Sequence, residues 1–233
     1  MPRATSAPES VLMCWSGGKD SSLALQAALQ DPTLRVEALL TTVTEGYERI
    51  SMHGVRCVLL EEQARAIGLP LEQVRIPIQA SNDIYEATMG EMLVRYQVRG
   101  VSRVIFGDLF LQDIRRYRET NLATLSMRGI FPLWLKDTRQ LAHDFIAAGF
   151  RAIVVCIDPK QLDPSFCGRE FDANLLADLP PSADPCGENG EFHTFVYDGP
   201  IFRQPVRVMK GEVIQRDGFW FCDLLQETSP ISL

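Results

Sequence analysis

The sequence predicts an α/β protein: a parallel sheet covered by helices on both faces, followed by a smaller C-terminal α+β domain. Two observations support this prediction. In the first half of the chain, short apolar runs alternate with helix-like segments, an order typical of βαβ units. After about residue 180, turn-forming pairs such as Asn189-Gly190 and Asp217-Gly218 separate short apolar runs, which indicates an antiparallel meander.

The first half of the chain is predicted to contain four strands and three helices. Residues 11–15 form an uninterrupted apolar run, as expected for a strand buried on both faces. After residue 54, the residues Cys57, Leu60 and Ala64 recur on one helical face. The predicted strands are 11–15, 34–42, 71–76 and 103–106, and the predicted helices are 20–30, 54–67 and 83–99.

The second half has a different pattern, and we place a domain boundary near residue 128. A strongly apolar strand is predicted at 152–157, after two predicted helices and before the meander. The resulting division is a flexible tail over 1–10, an α/β domain over 11–128 and a smaller C-terminal domain over 129–233. The remaining predicted elements are helix 111–128, extended segment 129–134, helix 138–148 and strands 192–197, 206–209 and 219–222.

Composition and charge narrow the classes of function. The chain has 233 residues and a formal net charge of −7, so a broad attraction to nucleic acid or to anionic lipid is not expected. No apolar run approaches the roughly 18 residues that a membrane-spanning helix needs, and no secretory signal precedes the first strand. The six cysteines are scattered, which favours reduced thiols over disulfides or a zinc site. We therefore expect a cytoplasmic protein.

The motif Ser-Gly-Gly-Lys-Asp-Ser, residues 16–21, follows the first predicted strand directly and opens the first helix. Gly17 and Gly18 allow the backbone to approach an anion closely, and the helix dipole adds about half a positive charge at this point. The hydroxyls of Ser16, Ser21 and Ser22 can donate hydrogen bonds, and the charge of Lys19 can join them. The stretch is therefore suited to cradle phosphate.

The spacing of this motif differs from that of two common nucleotide-binding loops. It matches neither G-x-x-x-x-G-K-S/T nor G-x-G-x-x-G, which disfavours γ-phosphate hydrolysis and dinucleotide binding. The alternative interpretation is a tight strand-to-helix turn in which Asp20 only helps to start the helix.

Two further stretches carry candidate functional residues in the middle of the chain. Gly107-Asp108 follows the fourth predicted strand, where a carboxylate could hold magnesium, line a nucleotide pocket or merely cap a helix. Arg115 and Arg118 share a helix face in a dense cluster of charges, and one of them could neutralise a phosphate or a carboxylate. The alternative is a solvated face with ion pairs. His53, in a loop expected at the carboxyl edge of the sheet, is a substrate contact or an ordinary loop histidine.

The segment Cys-Gly-Glu-Asn-Gly-Glu-Phe-His-Thr, residues 186–194, combines a turn with ionisable groups. Glu191 and His193 share one face of the predicted strand, and Glu188 lies just before the turn. These groups could bind ammonium, orient an amine or take its proton. The alternative is a hairpin with solvent-exposed charges.

These three stretches together resemble a known family. SGGKDS resembles the pyrophosphate loop of the ATP pyrophosphatase superfamily. Residues 107–119, GDLFLQDIRRYRE, and residues 186–194, CGENGEFHT, resemble signatures of the diphthine–ammonia ligase family. The resemblance covers residue 11 to about 211. The loop 49–56 departs from the members that act on diphthine and looks more like a bacterial branch.

The resemblance implies a sheet of the HUP and Rossmann-like type and a cytoplasmic ligase that uses ATP and Mg²⁺. Such a ligase would bind ATP in the domain over 11–128 and its substrate in the domain over 129–233. It would adenylate a small-molecule or protein carboxylate, release pyrophosphate and transfer ammonia from free ammonium or a partner protein. The alternatives are a tRNA-modifying enzyme of the same superfamily and a non-catalytic ATP sensor. The exposed edge of the meander could serve a homodimer.

The residue patterns and the resemblance together assign roles to individual residues. The expected catalytic residues are Lys19, Asp20, Glu188, Glu191 and His193. ATP is expected at Ser16, Gly17, Gly18, Lys19, Asp20, Ser21, Ser22, Gly107 and Asp108, and magnesium at Asp20 and Asp108. The expected substrate contacts are His53, Arg115, Arg118, Glu188, Asn189, Gly190, Glu191 and Thr194.

Overall fold

A computed structural model describes residues 7–46, 49–50 and 54–227. Five parallel strands form the first sheet in the order β4-β2-β1-β5-β6, and the short strand β3 pairs antiparallel with the end of β2. The apolar run predicted as the first strand is central, as its burial on both faces requires. The strands are β1 (Glu9–Cys14), β2 (Leu34–Thr44), β3 (Arg49–Ile50), β4 (Leu71–Ile76), β5 (Arg103–Ile105) and β6 (Arg128–Ile130).

Helices cover both faces of this sheet, and each face has its own apolar core. One core includes Leu25 and Leu60 from the first two helices, and the other includes Leu93 and Leu122 from the next two. No helix within residues 7–46, 49–50 and 54–227 is long and apolar enough to cross a membrane. The helices are α1 (Lys19–Gln30), α2 (Cys57–Ile67), α3 (Asn82–Gln97), α4 (Gln112–Thr124), α5 (Thr138–Ala147) and α6 (Ala173–Asp178).

A second, antiparallel sheet of four strands follows, in the order β8-β7-β10-β9. The core that contains Leu25 and Leu60 continues into this sheet through residues such as Val154 and Phe195. The apolar core around α1 and α2 therefore joins the two sheets. The strands are β7 (Arg151–Ile157), β8 (Phe192–Asp198), β9 (Val208–Arg216) and β10 (Phe219–Gln226), and a single 3₁₀ turn, Pro164–Phe166, follows β7.

The fold class predicted from the sequence is confirmed, with differences in detail. Lys210-Gly211, which follows the predicted strand 206–209, lies inside β9, where a register shift occurs opposite Asp223. β1 begins at Glu9, inside the segment predicted as a tail. β6 pairs with β5 and extends the parallel sheet to residue 130; the division of the chain into domains stays a prediction.

One edge strand of the second sheet, which contains the predicted meander, is β9, and it exposes Met209, Val213 and Ile214. The register shift lies on this edge strand. Irregularities of that kind hinder pairing with a further strand. The homodimer stays a prediction.

Asp223 on β10 joins the two sheets through a pair of arginines. Its Oδ1 accepts a hydrogen bond from Arg49 Nη1 at 2.9 Å, and its Oδ2 accepts one from Arg56 Nη2 at 2.6 Å. Burial opposes the charge of Asp223, but these hydrogen bonds lower its pKa below the ordinary value. The carboxylate therefore fixes both arginines against β10.

We predict that Asp223→Ala lowers the free energy of unfolding by about 1–3 kcal/mol, because two half-buried arginines lose their acceptor. Urea denaturation measures this change. The lowered pKa means that the contribution is present above the unfolded-state pKa of about 3.9 and is lost as pH falls through the lower folded-state value. The difference from wild type should therefore shrink in acid.

Asp178→Ala is the control, since Asp178 pairs with Arg169 but is 58 % exposed. It should change the free energy of unfolding by less than about 0.5 kcal/mol. Equal effects of the two substitutions would contradict the role given to Asp223.

Candidate functional site

A cavity of ≈ 290 Å³ opens where β1, β2 and β5 end, between the parallel sheet and the second sheet. Ligands of open α/β sheets bind at this carboxyl edge. The lining residues are Cys14, Trp15, Ser16, Gly18, Lys19, Asp20, Ser21, Leu40, Thr41, Thr42, Tyr85, Met89, Phe106, Gly107, Asp108, Arg118, Cys186, Gly187, Glu188, Phe192, His193 and Thr194. The cavity therefore joins residues from all three motifs.

The loop between β1 and α1 forms one wall of the cavity. Gly17 has a φ of 76°, a conformation that favours glycine. Gly18 is the N-cap of α1 and provides no side-chain hydrogen bond to the first turn. Ser16 Oγ accepts from Gly18 N–H at 3.3 Å and lies 3.1 Å from Ser21 Oγ. Backbone N–H groups and hydroxyls thus gather at a helix N-terminus, which suits an anion. We call residues 16–21 the phosphate loop.

Lys19 provides the positive charge of the phosphate loop, and it lines the cavity. Its side chain is only 3 % exposed, and Nζ donates to Asp20 Oδ2 at 2.7 Å and to the carbonyl oxygen of Cys186. Burial opposes the charge, but the neighbouring Asp20, Cys186 and Glu188 raise the pKa of Lys19. The amino group of Lys19 is therefore protonated, and it is held between the two sheets.

Gly107 brings the end of β5 against the start of α1. A Cβ at Gly107 would lie 2.9 Å from the carbonyl carbon of Asp20 and 3.0 Å from Ser21 N. Any side chain here would push the helix N-terminus away. The glycine therefore lets the next residue, Asp108, reach the cavity beside the phosphate loop.

Asp108 is paired with Arg118 from α4. Arg118 Nη2 donates to Asp108 Oδ1 at 3.1 Å, while Nε lies 2.8 Å from Oδ2 as an ion pair without hydrogen-bonding geometry. The guanidinium also lies over the ring of Phe106, 4.6 Å from its centroid. Asp108 and Phe106 thus hold the guanidinium of Arg118 at the wall of the cavity.

Glu188 enters the cavity from the segment that precedes β8. Its Oε1 accepts a hydrogen bond from Leu109 N–H at 2.8 Å. Burial raises the pKa of Glu188 to about 7, and the charge of Asp20 adds to the effect while the Leu109 N–H opposes it. A carboxyl group with this pKa can take or give a proton near neutral pH.

His193 completes this side of the cavity. Burial lowers its pKa to about 4, and the charge of Lys19 acts in the same direction. The imidazole is therefore neutral at pH 7, and it can donate or accept a hydrogen bond without adding charge.

Comparison with known proteins identifies two family models that match this chain. Residues 9–127, more than half of the chain, match the model of the diphthamide synthase N-terminal domain. Residues 137–227 match that of the diphthamide synthase C-terminal domain. The chain belongs to the diphthamide synthase family.

Individual members of the diphthamide synthase family are distant relatives. The chain is 28% identical over 181 residues to the diphthine–ammonia ligase of Homo sapiens and 25% identical over 182 residues to that of Mus musculus; each match covers 73% of this chain and 66% of the relative. The enzyme of Schizosaccharomyces pombe is 28% identical over 119 residues, which are 49% of this chain and 20% of the relative. The chain thus spans slightly less than two thirds of the mammalian relatives and a fifth of the yeast one.

Several residues predicted to form the site do not line the cavity. Glu191 is buried, and its Oε1 accepts from Asp184 N at 2.8 Å and Asn189 Nδ2 at 3.1 Å. It therefore holds the turn that presents Glu188. Ser22 likewise donates to Gly18 O at 2.9 Å. Gly17, Ser22, Asn189, Gly190 and Glu191 are outside the lining set.

The structure also separates the two candidate arginines. Arg118 lines the cavity, whereas Arg115 lies against the rings of Phe131 and Trp134, 4.7 and 4.6 Å from their centroids. Arg115 Nε pairs with Glu119 at 2.8 Å. His53 lies outside the described residues.

Sequence analysis missed the residues that complete the cavity from elsewhere in the chain. Leu40, Thr41 and Thr42 come from β2, and Tyr85 and Met89 come from α3. Nothing in their local sequence distinguishes them from ordinary core residues. Their position at or near the carboxyl edge of the sheet was the available signal.

The carboxylates of the cavity do not form a metal cage. Among the described residues, no group of three or more His, Cys, Asp or Glu side chains could hold a metal ion. Asp20 and Asp108 each have a cationic partner. Magnesium commonly binds through one or two carboxylates together with phosphates of a substrate, and these two residues fit that arrangement.

We predict that Gly107→Ala lowers the free energy of unfolding by about 1–3 kcal/mol, because the added Cβ overpacks the backbone of α1. Gly90→Ala on α3 is the control, since a Cβ there meets nothing within 4 Å. The control should be neutral or up to about 1 kcal/mol more stable. Urea denaturation of both variants measures these changes, and equal stabilities would contradict the close approach.

Proposed function

We propose that this chain is an ATP-dependent, AMP-forming carboxylate–ammonia ligase similar to diphthine–ammonia ligases. The observation that carries the proposal is a single cavity that joins an anion-binding helix N-terminus with Glu188 and His193. Membership of the diphthamide synthase family supports the same reaction.

The phosphate loop is proposed to bind the β and γ phosphates of ATP. The N-terminus of α1, the hydroxyls of Ser16 and Ser21 and the charge of Lys19 all lie at this wall. Such groups stabilise the negative charge that develops on the departing pyrophosphate. Mg²⁺ bound with the phosphates would supply further neutralisation, with Asp20 and Asp108 as its protein ligands.

In the first half-reaction, an oxygen of the substrate carboxylate attacks the α phosphorus. The bond from that phosphorus to the bridging oxygen breaks, and pyrophosphate leaves with the electron pair. The acid is thereby joined to AMP. Arg118, held flat over Phe106 with Asp108, is placed to orient an anionic group next to the phosphate loop.

In the second half-reaction, ammonia attacks the acyl carbon and AMP departs. The nitrogen must lose a proton as the amide forms. Glu188 is the group that we assign to accept it, because it faces the cavity and has a pKa of about 7. Neutral His193 can hold the attacking nitrogen by a hydrogen bond without repelling ammonium.

The proposed difference between this chain and its relatives is the carboxylic acid that serves as the acyl substrate. The curated relatives are named diphthine–ammonia ligases, but the chain covers 66% of the mammalian proteins and matches them at 25 to 28% identity. We propose that the ATP chemistry is shared and that the carboxylate differs, since the loop 49–56 departs from the pattern of members that act on diphthine.

The decisive assay incubates the protein with α-labelled ATP, magnesium and ammonium, with and without a cell extract freed of small nucleotides. We predict AMP and pyrophosphate only when extract is present. Asp20→Asn should reduce AMP formation about 100-fold, because the pairing of Lys19 at the phosphates is altered. Asp113→Asn, a 94 % exposed carboxylate on α4, is the control and should retain full activity.

Formation of ADP would contradict the assignment of the phosphate loop. Tight ATP binding without turnover in any extract would favour a sensor. Dependence of turnover on the RNA fraction of the extract would favour a tRNA-modifying enzyme.

We predict that Glu188→Gln slows ammonium-dependent product formation about 10²–10⁴-fold, because proton transfer is lost. The base acts when deprotonated, so the ratio of wild-type to variant rate should rise as pH increases through about 7. Ammonium titrates in the same way in both assays, so the ratio of the two rates removes its contribution to the pH dependence. Glu119→Gln is the control, and a pH-independent ratio for Glu188→Gln would contradict its role as a base.

A further inference from the structure

Gln63 is a buried amide in the middle of α2. It is fully inaccessible to solvent, and apolar residues such as Leu59, Leu60 and Ala64 surround it in the helix sequence. Burial of an amide is unfavourable unless each polar atom is hydrogen-bonded. A side chain of this kind in an apolar helix face therefore indicates specific bonds.

The amide of Gln63 connects three separate parts of the chain. Its Oε1 accepts a hydrogen bond from the indole Nε1 of Trp15 at 3.0 Å. Its Nε2 donates to the carbonyl oxygens of Gly17 at 3.0 Å and Val196 at 2.5 Å. The orientation of the amide follows from these partners, because indole can only donate and carbonyls can only accept.

These bonds hold the peptide between Gly17 and Gly18 from its outer side. Gly17 O also accepts from Val196 N–H at 2.9 Å. In a planar trans peptide the N–H points opposite to the carbonyl oxygen. With Gly17 O fixed toward Gln63 and β8, Gly18 N–H is directed the other way, where Ser16 Oγ accepts it and where Gly18 lines the cavity.

Gly17 also packs directly against the side-chain amide of Gln63. A Cβ at Gly17 would meet Gln63 Oε1 at 2.6 Å and Leu60 Cδ2 at 2.8 Å. Since Gly17 has a φ of 76°, the loop has its unusual backbone conformation at the point where Gln63 supports it.

We propose that Gln63 is a positioning residue for the phosphate loop: its amide fixes the Gly17-Gly18 peptide so that loop N–H groups face the bound pyrophosphate moiety. The inference rests on the proposed function, because it takes that loop as the pyrophosphate site. Gln63 lies outside the cavity lining and outside the three motifs. It acts on the ligand through the backbone of the loop.

The test measures the binding of inorganic pyrophosphate with magnesium by titration calorimetry, well below every melting temperature. Gln63→Leu and Gln63→Met remove the donor and keep the size of the side chain approximately. Leu175→Ala is the control, because Leu175 is a buried core residue on α6, outside the cavity lining. All three variants should melt at lower temperature than wild type.

We expect the dissociation constant for pyrophosphate to rise about tenfold or more in both Gln63 variants and to stay unchanged in Leu175→Ala. Wild-type affinity in a folded Gln63 variant would overturn the proposal and leave Gln63 with a purely structural role. Failure of both Gln63 variants to fold would count against it in the same way. If wild type itself does not bind pyrophosphate or ATP, the proposed function fails instead.

Discussion

The attachment of the phosphate loop to β8 is the interaction on which the site depends. Val196 N–H donates to Gly17 O at 2.9 Å, and Lys19 N–H donates to Thr194 Oγ1 at 3.1 Å. These bonds join residues almost 180 positions apart, so they require the second sheet to be folded against α1. The helix N-terminus by itself would leave its first N–H groups to water. In the folded chain, part of that turn is held by β8 and the remainder faces the cavity.

The charges of the cavity follow from the same junction. Lys19 and Arg118 are each neutralised by an aspartate next to them, so the cations can be buried without an unpaired charge. Glu188 instead accepts a hydrogen bond from the Leu109 N–H, and burial together with Asp20 raises its pKa to about 7. The site thus combines fixed positive charge beside the phosphates with one carboxyl group that changes protonation near neutral pH. That combination suits a reaction that releases pyrophosphate and then removes a proton from an amine.

The sequence predicted those parts of the structure that depend on local physical chemistry. Two glycines before a lysine at a strand-to-helix junction indicated an anion site, and the alternation of apolar runs indicated the parallel sheet. Contacts between distant segments had no local signal. Gln63 reads as one polar residue in an amphipathic helix, and its partners Trp15 and Val196 lie 48 and 133 positions away. Arg115 and Arg118 share a helix face. The structure distinguishes them because each lies against a different aromatic ring.

The two glutamates around the Asn189-Gly190 turn have different structural roles. Glu191 is buried and bonds Asp184 N–H, while Gly187, with a φ of 68°, leaves only 2.7 Å between an added Cβ and Phe192 O. The turn therefore brings Glu188 to the cavity that the phosphate loop also lines. One glutamate shapes the turn, and the other projects from it. Because the N-terminal family match ends at residue 127 and the C-terminal one begins at 137, neither half contains both the anion site and the proton acceptor. The chemistry proposed for this chain arises only where the two halves meet.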